Sequence, residues 1–481
     1  MTTVAETPDA SGTSAEPKSV PHLTPAESAA RGKAERAEVS RSAHGDWQPF
    51  PDRRDPVELL EEQAASRVPE LVPIRYGRML VSPFTFYRGA ANIMASDLAG
   101  VPRTGLHVQL CGDAHLSNFG AYAAPDRRLV FSVNDFDETL PGPFEWDLKR
   151  LVASFEIAGR DRAFTAKERR AINRRVTHSY RAAMKAFAGM DTLDQWYSRI
   201  EVDEIVDVFR RQGDKKQLKQ LDSTVAKAES KTSLKAFSKL THVVDGEARI
   251  VSDPPTIVPI EDLTKPGEAK ALDTFLHGLW HSYRATLAGD RRRLLERFRY
   301  ADAARKVVGV GSVGTRAWII LLLGPQGDPV FLQAKEAQAS VLEPFLGRSA
   351  FRHHGRRVVE GQQLTQAASD IMLGWLRATS ADGVARDFYV RQLWDSKGSA
   401  DVATMDPKTM GTYAEVCGRA LATGHARSGD AVAISSYLGA SDAFDQALAR
   451  FAEAYADQND QDYAALEAAA ASGRIAAERG V

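Results

Sequence analysis

Two short segments of the chain concentrate side chains that could carry out chemistry. The first contains Asp113 and, five residues later, Asn118, whereas the second contains Asp135 and Asp137. Each segment follows an apolar stretch that predicts a buried strand, and a carboxylate at the end of such a strand must be paired or ligated. Carboxylate and amide oxygens can hold a metal ion and can orient an attacking hydroxyl group. The two segments therefore predict a site of metal-assisted chemistry.

A glycine-rich segment much later in the chain could bind phosphate groups. Residues Gly309–Gly314 fit the pattern G-x-G-x-x-G, which is a weak signal when it stands alone. A dinucleotide-binding turn leads from a strand into a helix, whereas Thr315–Leu323 is apolar and lacks a helical period. A strand–turn–strand unit is typical of a flap whose backbone amides cover nucleotide phosphates. Lys335, inside the next apolar strand, is then predicted to reach those phosphates, because a buried lysine is rarely structural unless it is paired.

The composition indicates a soluble protein with more than one lobe. A chain of 481 residues exceeds the usual size of a single core, and 43% hydrophobic with 26% charged residues is ordinary for a globular protein. A net charge of −1 gives no electrostatic footprint for nucleic acid or an anionic membrane. The two cysteines are too few for a disulfide framework or a cysteine-rich zinc site. Because no long apolar span and no apolar signal core are present, the expected location is cytoplasmic.

Local patterns divide the chain into four zones of an α+β protein. Residues 1–45 are rich in Ala, Ser, Thr, Glu and Pro, which predicts an N-terminal tail that is disordered or at most transiently helical. Residues 46–300 predict a helical lobe that carries the catalytic and metal loops, with a lysine-rich helical insert within residues 195–250. The basic face of the insert is expected to be solvated, with substrate docking as the alternative. Residues 301–400 predict a β-rich nucleotide-binding lobe, and residues 401–481 predict helices that complete the helical lobe.

The acidic segments resemble those of a known enzyme family. Residues 112–118, Gly-Asp-Ala-His-Leu-Ser-Asn, resemble the catalytic loop of aminoglycoside phosphotransferases and related kinase-like enzymes, whose pattern is His-Gly-Asp-x-His-x-x-Asn. Residues 133–137 resemble their magnesium-binding turn, and residues 146–148 resemble the Trp/Tyr-Asp-Leu element that follows it. From about residue 47 to the C-terminus, the combined pattern resembles the uncharacterised bacterial domain-of-unknown-function 2252 family. The further segments of that pattern are Phe86–Gly89, Gly309–Arg316 and Val390–Leu393.

Departures from the kinase pattern shape the expected fold. Cys111 replaces the first histidine of the catalytic loop, and the gap between Asn118 and Asp135 is longer than is typical. The glycine-rich loop and Lys335 follow the catalytic loop by about 200 residues, whereas kinases place them before it. Permutation is tolerated when the original termini lie close together at the surface. The resemblance thus implies a two-lobed, circularly permuted, protein-kinase-like α+β fold, with a small antiparallel-sheet lobe and a larger helical lobe. The alternative is that one of the two motifs is coincidental.

The resemblance implies catalytic and metal-binding roles for five residues. Asp113 would orient a hydroxyl group of the substrate and accept its proton, with His115 as its partner in the catalytic loop. The magnesium ion would be held by Asn118 and Asp135, with Asp137 as a possible additional ligand. The implied activity is that of an ATP- and magnesium-dependent phosphotransferase acting on a hydroxyl of a small molecule.

The nucleotide-binding residues implied by the resemblance lie in the β-rich zone. Lys335 would contact the α- and β-phosphates and would be positioned by a glutamate, Glu343 or Glu360. Glu360 lies at the start of a helix predicted at about Gly361–Arg377. The glycines of the loop would let the backbone close over the phosphates, and a strand would pair with the adenine edge. These residues are Gly309, Gly311, Gly314 and the strand Phe388–Leu393.

Several neighbouring residues have ordinary structural explanations. Asp147 is expected to cap amides of a helix or loop, and His425 and Asp430 are expected to make polar contacts at a helix end. For His425 and Asp430, a role at the active site is the alternative. Arg88 and Arg391 are expected to form buried ion pairs, with substrate binding as the alternative.

Other classes of function remain open. A kinase-like fold can also transfer a nucleotidyl group, or bind a nucleotide as a regulator without turnover. A metallophosphoesterase is a weaker alternative, because the eleven histidines include no Asn-His and no His-x-His motif. The expected partners are a nucleotide and a small-molecule substrate, with no nucleic acid and no membrane.

Overall fold

The computed structural model describes most of the chain as a mixed α+β protein with antiparallel sheets, which confirms the predicted class. The described residues are 22–211, 222–223, 225–226, 230, 233–263, 278–307, 309–379, 383–393 and 398–480. Much of the lysine-rich insert lies outside them, including Lys215, Lys216, Lys219, Lys227 and Lys231.

The helices are numbered here in chain order within the described residues. They are α1 (Pro25–Glu38), α2 (Pro56–Ala64), α3 (Val72–Met79), α4 (Pro83–Arg88), α5 (Ala91–Ala99), α6 (Glu145–Asp161), α7 (Ala166–Phe187), α8 (Thr192–Tyr197), α9 (Val202–Arg211), α10 (Ser233–Leu240), α11 (Gly289–Leu295), α12 (Glu343–Leu346), α13 (His354–Thr365), α14 (Pro407–Ser428), α15 (Ala431–Leu438) and α16 (Ala443–Ala471). Residues 278–285 are also helical.

The strands form antiparallel sheets in the described part of the chain. They are β1 (His107–Leu110), β2 (Phe119–Ala123), β3 (Leu129–Val133), β4 (Leu140–Pro143), β5 (Ile200–Glu201), β6 (Thr241–Val244), β7 (Glu247–Ile250), β8 (Ile257–Pro259), β9 (Arg299–Lys306), β10 (Ala317–Leu323), β11 (Pro329–Ala337), β12 (Gly374–Thr379), β13 (Ala385–Gln392) and β14 (Gly398–Ser399). The sheet orders are β12-β13-β11-β10-β9-β8, β14-β2-β3-β5, β1-β4 and β6-β7.

The six-stranded sheet is covered by apolar side chains on both faces. Along β10, Leu321 belongs to one apolar cluster with Phe331, and its neighbour Leu322 belongs to another with Leu332. Successive side chains of a strand point to opposite faces, so a strand buried on both faces needs a continuous apolar run. The sequence Ala-Trp-Ile-Ile-Leu-Leu-Leu of β10 is such a run. Strands β9, β10 and β11 are consequently held by strand pairing and by apolar packing on both faces of the sheet. The glycine-rich loop connects β9 to β10.

Long helices form the other part of the structure and carry the acidic segments. Helix α6 is buried around its whole circumference over most of its length, which is typical of a central helix. Helices α7 and α14 have 22 residues each and pack closely, because Gly418 lies against the carbonyl oxygen of Val176. A Cβ atom at position 418 would come within 2.3 Å of that oxygen. Strands β1 and β3 lead into the segments with Asp113 and Asp135, as predicted.

The prediction of a disordered tail is wrong for the described residues near the N-terminus. Residues Pro25–Glu38 form α1, whose first turn is closed by reciprocal hydrogen bonds between Thr24 and Glu27. The helix packs on α15, where Arg36 Nε donates to the carbonyl of Tyr437 at 2.9 Å. Composition alone predicts disorder here, but the capped helix is held by contacts with a segment about 400 residues later.

Two helical predictions are also corrected. Helix α13 ends at Thr365, and residues Gly374–Thr379 form β12 instead of the second half of a helix. The burial of β12 alternates along the strand, which is the period of a sheet and not of a helix. Within the lysine-rich region, β6 and β7 form a hairpin. Its turn, Asp245-Gly246, has positive φ at both residues, the conformation that suits a tight two-residue hairpin.

Among the described residues, no helix combines the length and the apolar character needed to cross a membrane.

Candidate active site

Four parts of the chain meet at the carboxylate of Asp137. The Lys335 ammonium on β11 lies 2.5 Å from Asp137 Oδ2, although the two residues are 198 positions apart. The Ser312 hydroxyl, in the glycine-rich loop, donates to the same oxygen at 3.4 Å. The Tyr389 hydroxyl on β13 donates to Asp137 Oδ1 at 2.6 Å. The tertiary structure thus brings the acidic segment and the glycine-rich loop to one place.

A cavity of about 270 Å³ lies where these segments meet. Its volume is close to the lower end of small-ligand pockets, about 300 Å³. The sequence-predicted residues that line it are Asp113, Asp135, Asp137 and Gly311. Those that do not line it are His115, Asn118, Gly309, Gly314, Lys335, Glu343 and Glu360.

Asp113 is held in the cavity wall by an arginine from α6. Arg150 Nε lies 2.8 Å from Asp113 Oδ1, and Arg150 Nη2 donates to the carbonyl of Tyr87 at 2.6 Å. Burial raises the pKa of Asp113, and the ion pair with Arg150 opposes that rise. His115 Nε2 lies 3.7 Å from Asp113 Oδ2. Burial and the charges of Arg88 and Arg150 hold the pKa of His115 well below its usual value, so that its ring is neutral.

Asp147 supports the loop that carries Asp113. Its carboxylate accepts hydrogen bonds from the backbone N–H groups of Cys111 at 2.8 Å and Gly112 at 3.1 Å. His425 Nε2 lies 3.2 Å from the same carboxylate, and His425 Nδ1 lies 2.9 Å from the Tyr180 hydroxyl. The expectation that Asp147 caps loop amides is confirmed, and His425 belongs to this supporting network.

Of the metal-binding candidates, Asp135 lines the cavity and Asn118 does not, and both carry side-chain oxygen atoms. The Asn118 side-chain amide donates to the backbone carbonyl of Asp113 at 2.8 Å, which leaves its own carbonyl oxygen as the ligand atom. Asp135 Oδ1 accepts one long hydrogen bond, 3.3 Å, from the N–H of Asp137. Burial, with the nearby charge of Asp137, raises the pKa of Asp135. These hard oxygen donors fit magnesium, which is usually held by one or two carboxylates and completes its shell with water and substrate phosphates.

The described residues form no metal cage of His, Cys, Asp and Glu side chains. In the described part of the chain, no group of three or more His, Cys, Asp and Glu side chains is placed to hold a metal ion. A metallophosphoesterase site would need such a group.

In this structure Asp137 contacts protein side chains, and its role as an additional metal ligand stays a prediction. Both of its oxygens already accept hydrogen bonds, Oδ2 from Lys335 and Oδ1 from Tyr389. Burial favours the protonated acid, but Lys335 outweighs it and holds the pKa of Asp137 below its usual value. Asp137 is therefore the anionic partner of Lys335.

Among the described contacts, neither Glu343 nor Glu360 reaches Lys335, so the prediction that one of them positions this lysine gains no support. Glu360 forms an i,i+4 pair with Arg356 at 3.1 Å, on a partly exposed face of α13. Glu343 accepts a long hydrogen bond of 3.4 Å from the N–H of Ser340. Neither carboxylate is paired with Lys335, because that side chain extends toward the acidic segment and not toward α12 or α13.

The glycine-rich loop has the backbone freedom that its sequence predicts. Gly309 and Gly314 have φ values of +70° and +89°, a region that side chains rarely allow. A Cβ atom at Gly311 would lie 3.1 Å from the carbonyl oxygen of Arg88, so this glycine permits close approach. Gly311 and Ser312 line the cavity, whereas the other two glycines shape the turn.

The predicted adenine-binding strand is already paired with protein. Strand β13 lies between β11 and β12 in the sheet. Beyond the two-sided pairing, the N–H of Gln392 donates to Asp370 and the N–H of Leu393 donates to the carbonyl of Phe331. The backbone donors of Gln392 and Leu393 are therefore not free for an adenine ring in this structure.

Sequence reasoning missed several residues of the site. Arg150 could have been found, because Asp147 and Arg150 are three residues apart on α6 and therefore share one face. Tyr389 and Arg67 had no local signal, since each reaches the cavity region only through the tertiary fold. The expected ion pairs of Arg88 and Arg391 are not formed with any described carboxylate. Arg391 instead donates to the carbonyl of Asn134 and the side chain of Gln333.

Glu138, which lines the cavity, should make stability depend on pH. Burial raises the pKa of Glu138 to about 7, against the opposing effect of Arg357. The folded protein therefore binds this proton more tightly than the unfolded chain, in which the usual value is 4.5. The resulting stabilisation is complete below pH 4.5 and is lost as the pH rises through about 7.

We expect Glu138→Gln to remove this contribution. Between pH 4.5 and 7, the free energy of unfolding should fall more for the wild type than for Glu138→Gln. Urea titrations at several pH values measure the difference, with Glu343→Gln as the matched control outside the cavity. Identical pH profiles for wild type and Glu138→Gln would contradict the expectation.

Comparison with known proteins places the chain in a family. No curated protein and no solved structure matches it. A family model described as "Uncharacterized protein conserved in bacteria (DUF2252)" matches residues 67–469, which include Asp113, Asp135, the glycine-rich loop and Lys335. Since this match spans most of the sequence, the chain belongs to the DUF2252 family.

Proposed function

We propose that this protein is an ATP- and magnesium-dependent phosphotransferase that acts on a hydroxyl group of a small molecule. The observation that carries the proposal is the contact of Lys335 and Ser312 with Asp137. This contact brings the glycine-rich loop and a buried lysine to the segment that contains Asp135 and Asp137. Enzymes that transfer phosphoryl groups use a glycine-rich loop, a lysine and acidic residues of this kind. Asp113 lines the same cavity.

We further propose that the fold is a circularly permuted form of the kinase-like fold. The glycine-rich loop joins the antiparallel strands β9 and β10, and Lys335 lies on the next strand, β11. In the chain, all of these follow the segment that contains Asp113. Permutation requires chain ends that lie near each other. In support, the N–H of Glu478 donates to the carbonyl of Pro73 at 2.8 Å, so N-terminal helices pack beside the C-terminal segment.

The side chains of the cavity have distinct tasks in the proposed reaction. Asp113 would accept the proton of the substrate hydroxyl, whose oxygen forms a bond to the γ-phosphorus as the bond to the bridging oxygen breaks and ADP leaves with the electron pair. Arg150 orients the Asp113 carboxylate for this step. When the nucleotide binds, the Lys335 ammonium group would leave Asp137 and would neutralise the charge of the phosphates. Asn118 and Asp135 would hold magnesium, which when bound neutralises the charge of the phosphates.

Nucleotide binding can be tested by thermal unfolding. ATP with magnesium, at 100 times its Kd, should stabilise the wild type by about 2.7 kcal/mol. Asp135→Asn should lose the magnesium-dependent part of this stabilisation, because a carboxamide is a weaker ligand than a carboxylate. Asp126→Asn, at an exposed acid paired with Arg199, is the matched control. An absence of any ATP effect in the wild type would refute the proposal.

The products distinguish phosphoryl transfer from the alternatives. ADP together with a phosphorylated acceptor supports the proposal, whereas AMP and pyrophosphate would indicate nucleotidyl transfer. Nucleotide binding without products for a broad panel of hydroxyl compounds would favour a nucleotide-binding regulator. These outcomes depend on the chemistry at Asp113 and not on the fold, since one fold can host several reactions.

A further inference from the structure

Three arginines from the segment around α2–α4 lie together at the cavity. Arg67 and Arg88 line it, and Arg75 contacts Gln63 and Gly89, which line it as well. Arg67 is 7% exposed and Arg75 is fully buried. Within the described residues, the Nε atoms of all three are buried without a hydrogen-bond partner. No described carboxylate forms an ion pair with any of them.

Neutral groups hold two of these arginines, Arg67 and Arg75, in place. Arg67 Nη1 donates to the carbonyl of Val313 at 2.5 Å, and Arg75 Nη2 donates to the side chain of Gln63 at 2.5 Å and the carbonyl of Gly89 at 3.0 Å. The glycine-rich loop packs directly on Arg67, because a Cβ atom at Gly314 would lie 3.0 Å from that side chain. Carbonyl groups orient a guanidinium group without neutralising its charge. Arg67 and Arg75 are therefore positioned by neutral groups, whereas Arg88 lies within reach of the charges of Asp113 and Asp135.

Five carboxylates line the cavity: Asp113, Asp137 and Glu336 have cationic partners, whereas Asp135 and Glu138 form no ion pair in the described chain. Asp113 is paired with Arg150 and Asp137 is paired with Lys335. Burial lowers the pKa of Arg67 to about 10, although the acidic groups of the cavity oppose this. Burying an unpaired guanidinium group is unfavourable, and arginine is the side chain best suited to phosphate and carboxylate. The missing anion is therefore expected from a ligand.

We propose that Arg67 and Arg88 bind an anionic group of the acceptor substrate, a phosphate or a carboxylate, while the acceptor hydroxyl faces Asp113. Arg88 is close enough to Asp113 and Asp135 for their charges to act on it, so the anion lies beside the proton acceptor. The substrate class is then a hydroxyl compound with a phosphate or carboxylate group. The role of Asp113 rests on the proposed function, but the anion site can be measured without a nucleotide.

Calorimetric titration with inorganic phosphate tests the site. The wild type is titrated alone and again with saturating magnesium and AMP-PNP, a non-hydrolysable ATP analogue. Phosphate should bind in both conditions with Kd values within about 3-fold. Arg88→Gln should raise the phosphate Kd by about 10-fold or more, as expected for the loss of a charged hydrogen-bond donor, and should leave AMP-PNP affinity unchanged. Arg88→Lys should restore part of the phosphate affinity, and Arg67→Gln provides a second variant.

Arg128→Gln is the matched control, because Arg128 is exposed and paired with Glu201 outside the cavity. If AMP-PNP abolishes phosphate binding and Arg88→Gln weakens AMP-PNP, the arginines bind the nucleotide and the acceptor proposal is wrong. It is also wrong if the wild type binds no phosphate, or binds it as tightly as Arg88→Gln does. If AMP-PNP does not bind but Arg88→Gln still weakens phosphate, the anion site stands and the proposed phosphotransferase function fails.

Discussion

Asp113→Asn is expected to lower kcat by about 10²–10⁴-fold, the usual contribution of a positioned general base. A carboxamide cannot accept the proton of the substrate hydroxyl, and it also removes the charge that Arg150 orients. Nucleotide affinity should change little, because the substitution removes the acceptor of the hydroxyl proton and no contact with the phosphates. Steady-state kinetics with an acceptor identified from the product assay measures kcat and KM separately.

The thermal shift with ATP and magnesium serves as the internal control for Asp113→Asn. A retained shift shows that the variant is folded and binds nucleotide, so that the loss of kcat can be assigned to proton transfer. Asp126→Asn, at an exposed and paired acid, should keep the wild-type rate. If Asp113→Asn retained activity within a few-fold of the wild type, Asp113 would not be the proton acceptor.

Lys335→Met is expected to destabilise the free protein by about 3–5 kcal/mol, because it leaves the Asp137 carboxylate without its cationic partner in a largely enclosed setting. Burial acts against the charged form of Lys335, but Asp135 and Asp137 raise its pKa above the usual value. The same variant should abolish stabilisation by ATP and magnesium. Chemical denaturation of the free protein and thermal shifts with nucleotide measure the two effects.

A double-mutant cycle separates the ion pair from other effects of these substitutions. Lys335→Met combined with Asp137→Asn should be less destabilised than the sum of the single variants, by about 0.5–3 kcal/mol. The exposed pair of Arg128 and Glu201 is the matched control, with an expected coupling of at most about 1 kcal/mol. Additive effects at Lys335 and Asp137 would mean that their contact contributes no stability and would weaken the assignment of Asp137 as the partner of Lys335.

The anion site that we propose at Arg67 and Arg88 changes the role assigned to Arg88. From the sequence, Arg88 was expected to form a buried ion pair, since isolated buried charges are costly. The structure places Arg67, Arg75 and Arg88 together without a carboxylate partner in the described chain. A local pattern can predict that such a charge must be compensated, but only the assembled cavity shows that no described carboxylate is paired with it.

Local sequence patterns were sufficient to predict several strands and the glycine turn of this protein. The apolar runs of β10 and β11, the glycines of the loop and the strands before Asp113 and Asp135 all follow from nearest-neighbour preferences, and the structure has them where the sequence predicts them. A capping role for Asp147 was also predicted, but the amides that it caps are those of Cys111 and Gly112 in an earlier loop, which only the tertiary structure identifies.

Which side chains pair across the cavity depends on the tertiary structure and does not follow from local sequence patterns. Lys335 has Asp137 as its partner instead of Glu343 or Glu360, the backbone donors of Gln392 and Leu393 are taken by protein, and α1 packs on a helix near the C-terminus. These contacts join residues about 200 to 400 positions apart, or depend on which strand lies beside which. Local propensities carry no information about such distances, since they act over a few residues, whereas the partner of a buried charge is whichever group the packed fold brings within reach.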